Sequence, residues 1–190
     1  MSITIRGEDA TCLFEILSDP KAICIEGHTG SGKTTAGKKI AEKFGAKFFD
    51  TDSYIIKDPA SDVIKPYEDM VDIAKLSKEL NEEKGKKIIA GICLRKILRL
   101  AKTSEEPIFI YIKCISRTSS QWIEENILED LREGVIGIDN IPEPHASDYR
   151  YILEMNPQHN ADIIFERLEE NNQPHIIHTH AWKGEYIFPL

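Results

Sequence analysis

"ICIEGHTGSGKTT", Ile23 to Thr35, decides how this 190-residue chain is read. An apolar run closes at Glu26, a glycine-rich turn follows, and Lys33-Thr34-Thr35 opens an amphipathic pattern. The spacing Gly27-x-x-x-x-Gly32-Lys33-Thr34 fits the phosphate-binding loop, Gly-x-x-x-x-Gly-Lys-[Ser/Thr]. Glycine admits backbone conformations that turn successive N–H groups toward one anion. In such a loop Lys33 reaches the β- and γ-phosphates, and the Thr34 hydroxyl ligates Mg²⁺. The following helix aims its positive N-terminal end at the same anion. Gly27, His28, Thr29, Gly30, Ser31, Gly32, Lys33, Thr34 and Thr35 are therefore the expected ATP-binding residues.

The motif needs a strand before it and a helix after it, and both are legible. "AICIE" (Ala22 to Glu26) reads as a short buried strand, while Ala36, Ile40, Ala41 and Phe44 recur on one helical face. Gly45 then stands where a left-handed C-cap belongs. Further strands are read at Lys47–Asp50, Lys87–Ala90, Ile108–Ile112 and Ala161–Glu166. Between them, helices carry Met70, Val71, Ala74 and Leu80; Leu94, Ile97, Leu98 and Ala101; and Ile123, Ile127, Leu128 and Leu131. Ser147-Asp148 is read as the cap of a last helix stopping before Pro157.

Strands alternating with helices over short connections predict an α/β fold, a parallel five-stranded sheet flanked by helices on both faces. Ligands then bind beyond the carboxyl ends of the strands. One domain is expected over residues 1–190, with 1–20 a leading extension and 134–147 a closing loop or lid. "HIIHTH" and "EYIF" near the C-terminus are expected to add edge strands.

Composition narrows the partners. Hydrophobic residues make up 41% and charged residues 29%, the balance of a globular protein. The formal net charge of −8 argues against a nucleic-acid surface, which calls for a basic stripe. No basic-then-apolar leader opens the chain, and no apolar run approaches the roughly 20 residues that span a bilayer. A cytoplasmic protein without a membrane partner is expected. Cys12, Cys24, Cys93 and Cys114 form no C-x-x-C pair and read as reduced and structural.

What stands at the other strand ends separates the uses of such a loop. "FFDTDSY" places Asp50 and Asp52 at the mouth of the second strand, on one side if the extended geometry persists. Phosphoryl transfer to a hydroxyl needs a carboxylate that takes its proton, and the metal needs an acidic partner; two carboxylates divide these tasks.

"GHTGSGKTT" followed by "DTDSY" resembles the small-molecule P-loop kinases, the group of uridine, shikimate and nucleoside monophosphate kinases. Asp52-Ser53-Tyr54 is similar to the Asp-Ser-[Phe/Tyr] of uridine kinases, and the acidic pair to the Asp-x-Asp of shikimate kinases. "YILEMNPQHNADIIFE" (Tyr151 to Glu166) also looks like the uridine kinase ending. The resemblance implies transfer of the γ-phosphoryl of ATP, with Mg²⁺, to a small nucleoside- or sugar-like acceptor. On it, Lys33 binds the transferring phosphates, Asp52 is the catalytic base, and Asp50 partners the metal beside Thr34. Tyr54, Arg95 and Arg117 are the candidate acceptor contacts.

Three features depart from the pattern. The third strand ends "KIIAGICLR" without an acid, the fourth offers Lys113, and the segment beyond it has Arg117 and Arg132 but no dense set of paired arginines. These departures favour an alternative, an ATP-binding regulatory switch with little phosphotransfer. His175, His178 and His180 also raise a metal-site reading, against which stand the commoner edge-strand histidines.

Overall fold

Ala22–Gly27 is buried at all six positions, as a strand covered on both faces requires. In the computed structural model, which describes residues 2–56, 65–103 and 106–169, this strand is β2 of a six-stranded, wholly parallel sheet. The strands are β1 (Ile3–Gly7), β2, β3 (Lys47–Asp50), β4 (Lys87–Ala90), β5 (Ile108–Ser116) and β6 (Ile163–Glu169), in the spatial order β1-β6-β5-β2-β4-β3. From β2 the chain steps outward to β3, returns to β4, then crosses to β5. The direction of winding thus reverses at β2, and the crevice beyond its carboxyl end is where such sheets bind ligands.

Alternation along β2 sends Ile23 and Ile25 to one face and Cys24 to the other. On the first face Ile88, Ala90, Ile110, Ile112, Ile163 and Phe165 join them beneath α1 (Lys33–Phe44). The opposite face carries α3 (Ile73–Glu82), α4 (Leu94–Ala101), α5 (Glu125–Arg132) and α6 (His145–Met155) over Cys24, Ile89, Tyr111 and Ile115. Gly45 closes α1 in the left-handed conformation, its N–H donating to Ala41 and Glu42 carbonyls, as its position predicted.

Five strands were expected and six are found. The extra strand is β1, from the leading residues, paired in register with β6 from Ile3↔Ile163 to Gly7↔Arg167. Leu13 and Leu17 behind it are buried beside α1, and Phe14 meets Phe44 edge-on at 6.3 Å. The leading extension therefore completes one layer. The predicted "HIIHTH" and "EYIF" strands, with His175, His178 and His180, lie outside the described residues.

Three boundaries also move. β5 continues past Lys113, whose ammonium lies over the Trp122 ring at 4.5 Å; a charge read as a strand end is instead accommodated on an aromatic face. The helix drawn through Met70 and Leu80 is two pieces, α2 (Tyr67–Met70) and α3. Val71 between them bridges to Ile55, and the Asp72 side chain caps α3 at Lys75 N (2.9 Å). Finally, α6 begins at His145, so Ser147 and Asp148 are buried helical residues rather than caps, and the expected 134–147 loop contains a 3₁₀ turn at Ile138–Asn140. No helix among the described residues is long and apolar enough to cross a membrane, and all four cysteines are free thiols.

Candidate active site

Two kinds of constraint account for the glycines around Lys33. At Gly27 φ is 149°, and a Cβ there would stand 2.6 Å from the Ile112 carbonyl oxygen. Gly32 turns into α1 at φ 89°. Gly37 has a different reason: it lies inside α1, and a Cβ there would meet the Phe48 ring at 2.3 Å. Its absent side chain lets α1 press against β3 and holds the helix start close to the Asp50 end of that strand.

Lys33 is buried, and its ammonium donates to the loop's own His28 carbonyl at 2.7 Å. Burial pushes it below the ordinary lysine range, while the carboxylates of Asp148, Asp52 and Asp50 pull it back. A lysine turned onto its own loop is a donor ready for exchange onto a phosphate oxygen. Beside it, Thr34 Oγ1 donates to Asp50 Oδ2 at 2.8 Å. Hydroxyl and carboxylate together form the oxygen-donor pair that suits Mg²⁺. Among the described residues no group of three or more His, Cys, Asp and Glu forms a ready-made metal cage. A hard cation here would be completed by phosphate oxygens and water.

Asp50 and Asp52 do come together, but not by strand alternation. The chain leaves β3 in a 3₁₀ turn, Thr51–Tyr54, and the Asp50 side chain accepts from Asp52 N at 3.2 Å. One oxygen of Asp52 accepts from the Tyr67 hydroxyl at 2.5 Å, and the Thr51 hydroxyl lies 2.8 Å from that same phenol. Tyr67 is itself buried, its N–H donating to Ser147 Oγ of α6 at 2.9 Å. Gly91, at the end of β4, leaves room for Thr51, whose Oγ1 would be 2.0 Å from a Cβ there.

The other candidates are engaged elsewhere. The Tyr54 hydroxyl donates to Glu79 at 2.7 Å, and Arg117 pairs with Glu8 at 2.7 Å on the surface. Arg95 packs its guanidinium on Phe109 (3.8 Å) and binds Glu26 Oε2 through Nε at 2.9 Å. Glu26, on β2, is 1% exposed and also accepts from the Tyr151 hydroxyl. Burial pushes its carboxyl up, and Arg95 and Tyr151 pull it back. Arg95→Ala is therefore expected to cost about 3–5 kcal/mol at pH 8, where it strands a buried charge. The loss shrinks as the pH falls and Glu26 takes up a proton; denaturant melts at pH 8 and at acid pH check this.

Sequence reasoning missed the deepest part of the site. Asp148 of α6, 1% exposed, accepts from Thr29 N (2.8 Å) and Thr29 Oγ1 (3.2 Å), joining residues 119 apart in the chain. His28 Nδ1 stands 2.8 Å from the same oxygen without meeting hydrogen-bond geometry, an electrostatic contact, and its ring stacks on Tyr149 at 4.5 Å. Burial pushes Asp148 up, but His28, Lys33 and Thr29 outweigh it and hold the carboxyl below its usual value. On the loop's other flank Arg167, at the end of β6, donates to the Ser31 carbonyl at 2.9 Å. No local motif marks these residues, because each meets the loop only through the fold.

Glu124 lies within the field of His28, fully buried, and among the described residues neither carboxylate oxygen makes a well-formed hydrogen bond, only weak ones with its own N–H and the Trp122 indole. Burial raises its carboxyl above the ordinary value, with His28 opposing. A raised folded value favours the fold below the unfolded value and disfavours it as pH rises through the folded one. Glu124→Gln is thus expected to gain on the order of 1–3 kcal/mol at pH 8, a few degrees in Tm, and nothing near pH 4. Paired thermal melts read the difference.

With this geometry in place, comparison with known proteins is informative. Residues 29–114 match the model of the shikimate kinase family. A shikimate kinase of Caldicellulosiruptor bescii is 48% identical over 48 residues, 25% of this chain; the match spans only 28% of that relative's length. The solved structure of a possible uridine kinase from Bacillus stearothermophilus aligns with a TM-score of 0.51 at 15% identity, over 79% of this chain and 90% of that one. At that identity the likeness is one of fold. Fold and loop together resemble those of the P-loop small-molecule kinases. Within that class the chain resembles the uridine, shikimate and nucleoside monophosphate kinase group.

Proposed function

We propose that this protein transfers the γ-phosphoryl of ATP to a hydroxyl of a nucleoside- or sugar-like metabolite, in the cytoplasm. The observation that carries the reading is the single turn after β3, which sets Asp50 against Thr34 and keeps Asp52 within electrostatic reach of Lys33. The loop from Gly27 to Thr35 holds the phosphates of ATP, and Lys33 exchanges the His28 carbonyl for a phosphate oxygen. Thr34 and Asp50 would hold Mg²⁺, which when bound would neutralise charge on the β- and γ-phosphates.

Asp52, with one oxygen held by Tyr67, presents the other to the acceptor hydroxyl. As the acceptor oxygen bonds to the γ-phosphorus, its proton passes to Asp52. The bond from that phosphorus to the β-bridging oxygen breaks, and ADP leaves with the electron pair.

Incubation with Mg·ATP and neutral sugars or nucleosides, followed by mass spectrometry, tests this reading. A phosphate monoester of one acceptor class supports it. ATP binding without any ester, whatever the acceptor, supports the regulatory switch instead. That second reading draws on Asp148, whose carboxylate ties the loop to α6 and so gives nucleotide binding a route to a distant surface.

A further inference from the structure

In-line transfer needs the base and the γ-phosphoryl held in one geometry, yet the two sit on separate segments. The phosphate loop follows β2 and Asp52 follows β3, with β4 between them in the sheet. Neighbouring strands lie about 4.8 Å apart, so these two strand ends stand about 10 Å from each other. Thr34 and Asp50 join them on the α1 side. On the other side the join is made by two successive buried residues of α6. Ser147 Oγ accepts from Tyr67 N at 2.9 Å, and the Tyr67 hydroxyl donates to Asp52 Oδ1 at 2.5 Å. That phenol has one proton and gives it to Asp52, so the Thr51 hydroxyl, 2.8 Å away, donates to it. The next residue, Asp148, accepts from Thr29 N and Thr29 Oγ1 of the loop. The Ser147 carbonyl accepts from the thiol of Cys93, on the segment after β4, at 3.6 Å. Successive helix residues point about 100° apart, which lets one turn of α6 face all three segments. The turn is itself braced: Ser147 N donates to Glu143 Oε2 at 3.1 Å, and Arg150 holds the other Glu143 oxygen at 3.0 Å.

We propose that Ser147 and Asp148 are positioning residues for the transfer step, fixing the base Asp52 relative to the phosphates in the loop. This rests on the phosphotransferase reading of the same site. The line Asp52–Tyr67–Ser147–Asp148–Thr29 runs from base to loop through short, buried side chains, which have few rotamers in which to absorb a shift. Neither α6 residue touches the reacting atoms; each acts through the group it holds. Cutting the line leaves Lys33 and the loop to bind ATP, but lets Asp52 drift from the acceptor hydroxyl. A misplacement of about 1 Å costs on the order of 100-fold in rate. Water then competes better with the acceptor for the γ-phosphoryl, giving inorganic phosphate and ADP in place of the ester.

The test uses Mg·ATP and whichever neutral sugar or nucleoside the wild type phosphorylates best, with Lys33→Ala as the blank. For each variant it reads kcat, KM for ATP, and phosphate ester formed per ADP released. Ser147→Ala and Asp148→Ala are expected to lower kcat by at least about tenfold, with KM for ATP changed less than about threefold and less ester per ADP. Asp148→Asn is expected to recover most of the rate, because its carbonyl oxygen still accepts from Thr29 N. Tyr67→Phe keeps the ring and the N–H to Ser147, so it cuts the same line without disturbing the fold. Ser147→Ala added to Tyr67→Phe is therefore expected to cost much less than Ser147→Ala alone. A merely structural role would lower Tm and the fraction of active protein, and leave the ester-to-ADP ratio unchanged. Wild-type kcat and ratio in both Ser147→Ala and Tyr67→Phe, or losses that simply multiply in the double variant, overturn the positioning role and leave the kinase standing. These two variants decide the matter even where Asp148→Ala does not fold. No ester from the wild type with any acceptor removes the phosphotransferase reading, and this inference with it.

Discussion

Lys33→Ala is expected to lower phosphoryl transfer by at least about 100-fold, the scale of removing one preorganised donor from a developing charge. ATP affinity should fall with it, because the ammonium is the loop's one mobile cation while the backbone N–H groups remain. The fold should survive. Lys33 is buried and its charge is disfavoured by that burial, so its removal does not strand a partner that depends on it. The His28 carbonyl it now binds belongs to the loop, and Asp148 keeps Thr29 and His28. Circular dichroism and a thermal melt alongside ATP titration separate the two effects. A variant that unfolds, or one that transfers at the wild-type rate, contradicts this assignment.

Asp52→Asn is expected to keep ATP affinity while lowering the transfer rate by roughly 10²–10⁴, the usual contribution of a positioned base. The substitution preserves shape. The asparagine carbonyl oxygen can still accept from the Tyr67 hydroxyl, so the 3₁₀ turn and its contacts with Thr51 persist. Only the capacity to take a proton is lost. The signature is therefore a fall in kcat with little change in KM for ATP, measured under steady state and checked by ATP titration. Weakened ATP binding would instead place Asp52 in the metal site that is here given to Asp50.

These expectations trace back to how much of the site is written locally. The loop, its preceding strand, the Gly45 cap and the acidic pair are all contiguous signals, since backbone turns and helix ends are set by nearby residues. The pairing of Asp50 with Asp52 was legible, but its geometry was not. Alternation along a strand was the expectation, and a turn capped by Asp50 delivers the pair instead. Tyr67 and Asp148 lie beyond such reading. Each looks like an ordinary polar or aromatic helix residue until the parallel sheet brings α2 and α6 over the strand ends. Arg95 illustrates the converse: a basic residue near a strand mouth reads as a ligand, yet Glu26 on β2 already holds it. A buried acid inside an apolar strand signals such a partner, because an ionised carboxylate is costly there without one.

The most direct measurement is ADP release from Mg·ATP across neutral sugars and nucleosides, with Lys33→Ala as the blank. The account predicts stimulation by one acceptor class that is lost in Lys33→Ala and strongly reduced in Asp52→Asn. Tight ATP binding with release that no acceptor increases would contradict it, and would leave the loop as a nucleotide sensor whose output passes through Asp148 and α6.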